Sequence, residues 1–291
     1  MSTIGEAIAT ATARLRQAGS PTPRLDAELL LGHLLGRERA WLLAHPEVDA
    51  QPDVFDTLIE RRAAGEPVAY LRGFKEWHGL RVRTDLRALI PRPETELLAD
   101  AAGDEIERRL ATGPVVAWDI GTGTGAVAIA LALRLGDGIQ ARRLTLVASD
   151  ISTDALGLAR ENASDHEVAG AIELIVADLL APAGETHPRP DVVVANLPYV
   201  ASAEVDERRG SLGFEPRLAL DGGADGLDFL RRLSHDLPAG AAPGGSAFLE
   251  IGHGQAAAVS ALAPRRASVQ VVPDLAGLER VVRIDLPTLE P

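Results

Sequence analysis

Val115-Val116-Ala117-Trp118-Asp119-Ile120-Gly121-Thr122-Gly123-Thr124-Gly125 reads as a strand that runs straight into a glycine-rich turn. The run 115–120 is apolar and partly β-branched, and residues 126–135 that follow are helix formers. Three alternating glycines let the backbone turn tightly and approach a ligand at the helix N-terminus, which predicts a nucleotide-like occupant. The spacing is G-x-G-x-G and not the G-x-G-x-x-G of dinucleotide folds. Working outward, residues 144–150, 172–178, 191–195 and 246–251 are similar short apolar runs, mostly separated by helical segments such as 154–163. That alternation predicts a parallel sheet covered on both faces. The runs 268–272 and 280–286 lie too close for a crossover helix and predict an antiparallel C-terminal hairpin at one sheet edge. Stretches rich in proline and glycine at 181–190 and 238–245 read as surface loops.

Upstream, apolar residues recur at helical spacing to about residue 64, as in Leu25, Leu29, Leu30, Leu34 and Leu35, then Trp41, Leu42 and Leu43. Breaks near Gly19-Ser20-Pro21 and His45-Pro46 make this a small helical bundle. Alternation around Leu80, Val82 and Leu89 predicts a short strand pair within 79–90. The expected division is a helical domain over 1–78, a β-hairpin connector over 79–93 and an α/β domain over 94–291, the last with a Rossmann-like order of elements.

Composition narrows the chemistry. The 291 residues are 46% hydrophobic and 24% charged, as in an ordinary globular chain. No cysteine is present, which removes disulfides, thiolate metal sites and cysteine nucleophiles. His33, His45, His78, His166, His187, His235 and His253 show no ligand-like pairing, so no metal is expected; His253 is read as a loop residue. A net charge of −13 argues against a broad phosphate-binding surface, so no direct nucleic-acid partner is expected. Nothing resembles a leader or a membrane-length apolar run, which gives the expectation of a cytoplasmic protein with no membrane partner.

Asp150 ends the second apolar run, at the sheet edge where open α/β sheets bind ligands, and a carboxylate there can accept both hydroxyls of a ribose. Asp178 ends the third run and can accept from an adenine amino group, with Leu179 packing the ring. Capping of the following helix is the alternative for each carboxylate. A glycine turn with carboxylates after the second and third strands resembles the class I S-adenosylmethionine-dependent methyltransferases. The resemblance implies S-adenosyl-L-methionine held by Gly121, Thr122, Gly123, Thr124, Gly125, Asp150, Asp178, Leu179 and Asn196.

After the fourth run comes Asn196-Leu197-Pro198-Tyr199, again at the carboxyl edge. A primary amide nitrogen is a weak nucleophile because its lone pair is delocalised into the carbonyl. Acceptors on both of its N–H bonds would position it and draw electron density toward it. The Asn196 side-chain oxygen and the Leu197 carbonyl can supply these, with Tyr199 stacking on the flat amide and Pro198 biasing Leu197 toward extended backbone. An ordinary strand-to-loop turn is the alternative. The tetrapeptide resembles the Asn/Asp-Pro-Pro-Tyr/Phe motif of amino methyltransferases, with Leu197 where proline is usual.

Further stretches sharpen the resemblance. Gly65-Glu66-Pro67-Val68-Ala69-Tyr70-Leu71-Arg72-Gly73, Leu89-Ile90-Pro91-Arg92-Pro93-Glu94-Thr95-Glu96, Glu215-Pro216, Asp221-Gly222-Gly223, Leu249-Glu250-Ile251-Gly252 and Asp274-Leu275 are similar to the protein-(glutamine) methyltransferases of the PrmC/HemK family. That implies methylation of the glutamine in the Gly-Gly-Gln motif of peptide chain release factors. It also implies a docking role for the helical domain and a place for Arg92 and Glu94 beside the cofactor and acceptor. The competing readings are a nucleic-acid amino methyltransferase, which would need base extrusion and a basic track, and a cofactor-binding module that has lost catalysis.

Overall fold

The computed structural model describes residues 2–50, 52–207 and 210–288. Their contacts form two compact units, one from residues up to 75 together with 210–215, the other from 76–207 with 216–288.

In the first unit, helices α1 (Ile4–Gln17), α2 (Pro23–Leu35), α3 (Arg39–Ala44), α4 (Pro52–Ala63) and α5 (Val68–Arg72) enclose Ile4, Leu15, Leu30, Leu31, Phe55 and Ile59. A capping box opens α1: the Thr3 hydroxyl accepts from the Glu6 N–H at 3.3 Å, and the Glu6 carboxylate accepts from the Thr3 N–H at 3.0 Å. Buried Asp26 and Arg62 pair at 2.7 Å. Asp26 also accepts from the hydroxyls of Ser20 and Thr22, while Arg62 donates to the carbonyls of Gly65 and Glu66 and to the Ser211 hydroxyl. Each buried charge therefore meets several hydrogen-bond partners, the condition under which such a pair is tolerated in a core.

The chain passes from the first unit to the second within β1 (Phe74–Trp77), which pairs with β2 (Leu80–Arg83). The turn residues His78 and Gly79 have φ of +50° and +72°, the backbone that a two-residue hairpin demands. The strand pair thus starts upstream of the expected 79–90 stretch, and Leu89 lies beyond it. The alternation at Leu80 and Val82 is real, but its partner strand is supplied by Phe74 and Trp77, and the prolines at 91 and 93 cannot donate to a ladder.

After α6 (Glu94–Leu110) comes a seven-stranded sheet of β3 (Val115–Ile120), β4 (Leu144–Asp150), β5 (Glu173–Val176), β6 (Val192–Ala195), β7 (Ser246–Glu250), β8 (Ser268–Pro273) and β9 (Glu279–Asp285). Their order is β5-β4-β3-β6-β7-β9-β8. Strands β3 to β7 pair in parallel, and β9 runs antiparallel to both β7 and β8, which makes the expected edge hairpin. The linking helices are α7 (Ala126–Arg134), α8 (Gly136–Gln140), α9 (Thr153–Asp165), α10 (Ser202–Glu207), α11 (Asp228–Gly240) and α12 (Ala256–Ser260). Strand alternation fills two cores. Val192 and Val194 pack with Leu98 and Ile106 of α6 and Ile129 of α7, whereas Val193 and Ala195 pack with Leu230, Leu233 and Leu237 of α11.

Chain order reverses between β3 and β6, so the crevice at their carboxyl ends is the switch point where such sheets bind ligands. Register does the rest: Ile120 lies opposite Ser149 and Ala195, and Ala195 lies opposite Leu249. One step on, Gly121, Asp150, Asn196 and Glu250 emerge side by side at that edge.

Candidate active site

The turn after β3 is left-handed at all three glycines, with φ of +70°, +55° and +81° at Gly121, Gly123 and Gly125. The Ser149 carbonyl accepts from the N–H groups of Gly121 and Thr122 at 2.8 and 2.9 Å. A Cβ on Gly125 would lie 3.1 and 3.2 Å from Cβ and Cα of Ala159, so this glycine lets α7 approach α9; at Gly123 the nearest atom would be Ala88 Cβ at 3.9 Å. Asp119, wholly buried, accepts from the Thr122 hydroxyl at 2.6 Å and the Ala128 N–H at 3.2 Å, and burial pushes its carboxyl up to about 6. It braces the turn from behind, a role that its place in the sequence motif did not reveal.

Asp150 is held from both sides, accepting from the Gly123 N–H on one oxygen and the Ser152 N–H on the other, each at 2.9 Å. Burial raises its carboxyl above the usual range. The side-chain cap of α9 is Ser152, which accepts from the Ala155 N–H at 3.1 Å, so capping does not account for Asp150. Each carboxylate oxygen keeps a lone pair for a ligand. Asp178 lies two residues past the end of β5, in a turn, and accepts from Arg232 at 2.7 Å with both side chains about half exposed. Leu179 beside it is buried with φ of +55°.

These residues meet at one cavity that holds ≈ 1220 Å³ of atom-free space, part of it open to solvent. Gly121, Thr122, Gly123, Thr124, Asp150, Asp178, Leu179, Asn196, Leu197, Pro198 and Arg92 line it; Gly125, Tyr199 and Glu94 do not. Its walls also include Ile90, Ala88 and Arg87 from the stretch before α6, and Leu218 and Phe229. Ile90 belongs to the 89–96 stretch that the sequence singles out, whereas Ala88, Arg87, Leu218 and Phe229 carried no sequence signal, because an aperiodic loop and one aromatic on an amphipathic helix look like connectors and core. Carboxylate oxygens beside apolar walls suit a ligand that has neighbouring hydroxyls and a flat ring.

At the other end of the cavity, Asn196 Nδ2 donates to the Thr95 hydroxyl at 3.0 Å. That commitment leaves Oδ1 as the free acceptor. The Leu197 side chain is buried, and a Cβ on Gly121 would lie 3.0 Å from its Cδ2, so it fills the space over the glycine turn. Tyr199 points its hydroxyl at Glu250 Oε1, 3.5 Å away, and its carbonyl accepts from Gln255 Nε2 at 3.0 Å. Burial, reinforced by the Glu250 charge, pushes the phenol up to about 12. Glu250 is itself buried at the end of β7 and pushed up to about 7 by desolvation, with Oε2 lacking a hydrogen-bond partner. The Arg92 carbonyl accepts from the Trp77 indole at 2.7 Å, and Glu94 lies 3.6 Å from Arg280. His253 is exposed. Among the described residues no group of three or more His, Asp or Glu is placed to hold a metal ion, and no helix is long and apolar enough to cross a membrane.

Two family profiles match the chain: the PrmC N-terminal domain over residues 6–73 and the methyltransferase small domain over residues 97–210. A protein of Deinococcus radiodurans named release factor glutamine methyltransferase is 40% identical, over 96% of this chain and 97% of its own. A protein of Koribacter versatilis with the same name is 37% identical, again over 96% and 97%. Among solved structures, the hMettl16 catalytic domain in complex with a hairpin of the MAT2A 3'UTR shares the fold with a TM-score of 0.56 at 14% identity, covering 81% of this chain and 84% of that one.

Proposed function

The chain belongs to the release factor glutamine methyltransferases, and from that membership we propose how its own residues divide the work. The reaction moves a methyl group from S-adenosyl-L-methionine to the side-chain amide nitrogen of a glutamine in a peptide chain release factor, here assigned to the Gly-Gly-Gln motif. The donor, when bound, supplies an electrophilic methyl carbon on a sulfonium. Asp150 offers its remaining lone pairs to the ribose hydroxyls, Leu179 and Phe229 enclose the adenine, and Asp178 accepts from its amino group. The turn from Gly121 to Gly125 brings backbone close to the ligand, and Asn196 borders both ligands.

Asn196 Oδ1 and the Leu197 carbonyl accept the two N–H bonds of the glutamine amide. No strong base is required before transfer, since the proton leaves once the nitrogen has gained its methyl. What these residues contribute is alignment of nitrogen, methyl carbon and sulfur, an effect that reaches about 7–11 kcal/mol in favourable intramolecular cases. Arg92 lines the same cavity and can donate to a carbonyl of the acceptor chain. Pro198 fixes the exit of the turn, and Tyr199, protonated and half-buried, supports it from behind rather than from the cavity wall. Glu94 acts through Arg280. The first unit, residues up to 75 with 210–215 rather than the expected 1–78, docks the release factor, and the second unit carries out transfer.

The observation that carries this reading is the committed Asn196 amide: with Nδ2 given to Thr95, an acceptor oxygen is fixed at the edge shared with Asp150. The test is label transfer from S-adenosylmethionine to a purified release factor, beside the same factor with its Gly-Gly-Gln glutamine replaced and beside duplex DNA. Label should require that glutamine; label in DNA instead would transfer the same chemistry to a base amino group.

A further inference from the structure

Glu250 is buried to 1% exposure directly behind the acceptor turn, and the motif that contains it gave it no task. Two hydroxyls bear on it from the elements around it: Thr95 of α6 stands beside it and favours the charged form, and Tyr199 after β6 reaches Oε1 at 3.5 Å, while Oε2 has no hydrogen-bond partner among the described residues. Glu94 of α6 adds a like charge and Arg280 of β9 an opposite one. Arg280 is shared with Glu94 at 3.6 Å and Asp274 at 3.0 Å, and Arg92 acts on the Tyr199 hydroxyl.

Given the acceptor role of Asn196 proposed above, on which this rests, we infer that Glu250 is a positioning residue that works through Thr95 to fix which face Asn196 presents to the glutamine amide. The argument is one of hydrogen-bond direction. A hydroxyl has one proton and two lone pairs, and an ionised carboxylate only accepts. Charged Glu250 therefore draws the Thr95 proton toward itself and leaves the lone pairs of Oγ1 to the Asn196 Nδ2–H, which they already meet at 3.0 Å. Asn196 Oδ1 is then held outward. A neutral Glu250 carries a proton of its own, donates it to Thr95 Oγ1 and competes with Asn196 for the same oxygen. The amide of Asn196 is no longer held with Oδ1 outward, and Nδ2 turns toward the glutamine amide, a donor where an acceptor is needed.

Because burial puts the Glu250 carboxyl at about 7, methyl transfer at saturating substrates should rise about tenfold between pH 6 and pH 8, following ionisation of one group. Glu250→Gln should give a flat profile near the wild-type rate at pH 6, with donor affinity measured by calorimetry unchanged. Thr95→Val should behave like Glu250→Gln, and Thr95→Ser, which keeps the hydroxyl, should recover the wild-type rise; these two carry the test if Glu250→Gln does not fold. A Glu250→Gln enzyme that keeps the wild-type rate at pH 8, or the wild-type pH profile, overturns the inference. Asn196→Ala separates the two levels. If it stays active, the acceptor role of Asn196 is wrong; if it is inactive while Glu250→Gln matches the wild type, only the role of Glu250 is.

Discussion

Gly125 and Gly123 belong to one motif and have left-handed backbones, yet their surroundings ask different things of them. A methyl group on Gly125 meets the backbone of Ala159 at 3.2 Å, which α9 cannot move aside, whereas on Gly123 it meets only Ala88 Cβ at 3.9 Å. Gly125→Ala should cost roughly 2–4 kcal/mol, from the left-handed φ and from overpacking together. Gly123→Ala should cost only the backbone share, about 1–2 kcal/mol. Denaturant midpoints of the two variants decide it; equal losses would mean that α7 and α9 are not packed in close contact at Gly125. The chemistry divides in the same way between residues. On the proposed division of roles, Asp150→Ala removes the carboxylate offered to the donor's ribose and should weaken its binding by about 10–100-fold, the worth of hydrogen bonds to a charged group. Asn196→Ala should leave donor binding within a few-fold and reduce turnover by about 100-fold or more, as when a preorganised polar contact to a reacting group is deleted. Calorimetry beside single-turnover transfer separates the effects, and a reversed pattern would exchange the two assignments.

Elements show why part of this molecule could be read from its sequence. Buried parallel strands are short apolar runs, so β3, β4, β6 and β7 were legible to within a residue or two, and the antiparallel β8–β9 hairpin followed from the short link between its strands. Edge strand β5 was overextended: only Glu173–Val176 pairs, and Asp178 falls in the turn beyond. The 238–245 stretch, expected as loop, begins inside α11, which runs through Pro238 to Gly240. A proline in the last turn forfeits one hydrogen bond, and the close approach of Gly240 to Leu180 holds that turn in place. Residues 87–92 form a cavity wall although the alternation through Leu89 reads as strand, and Glu250 was illegible because a strand-end carboxylate acquires meaning only when neighbouring elements bury it. Another such carboxylate is Glu105, buried in α6, which accepts from Arg108, Arg109 and Arg283. Arg109 in turn donates to the Gly244 carbonyl and the Ser246 hydroxyl. Burial pushes the Glu105 carboxyl up, but Arg108 and Arg109, with Arg283, outweigh it and hold it at about 2. A depressed pKa contributes stability above the ordinary carboxylate range that is lost as pH falls toward 2. Glu105→Gln should therefore destabilise the domain at pH 7 by roughly 2–3 kcal/mol, below the value for fully buried pairs because its partners are partly exposed, and the difference from wild type should shrink below pH 4.

For the molecule as a whole, function works against stability at the carboxyl edge of the sheet. Asp119, at about 6, and Glu250, at about 7, are both raised by burial, and Asp150 is raised as well. A group with a raised pKa binds more protons folded than unfolded, so the stability it confers is complete below its unfolded value and is lost as pH rises through its folded value. The domain should accordingly lose stability between about pH 4.5 and pH 7, and the net charge of −13 adds self-repulsion in the same direction. An apolar or neutral edge would not behave so, but it would present no acceptor to a ribose or an amide. Glu250→Gln isolates one contribution, since it keeps the shape and removes the ionisation. Its stability relative to wild type should rise with pH and level off above pH 7, reaching roughly 3 kcal/mol for a shift from 4.5 to about 7. Hydrogen exchange of β6 and β7 is the suitable readout, because it reports this unit and not the helical one. Parallel curves for the two proteins between pH 5 and pH 8 would mean that Glu250 is ionised without cost in the folded state. Diverging curves, with the variant the more stable and the slower at pH 8, would mean that the same buried charge that strains the fold also orients the acceptor site.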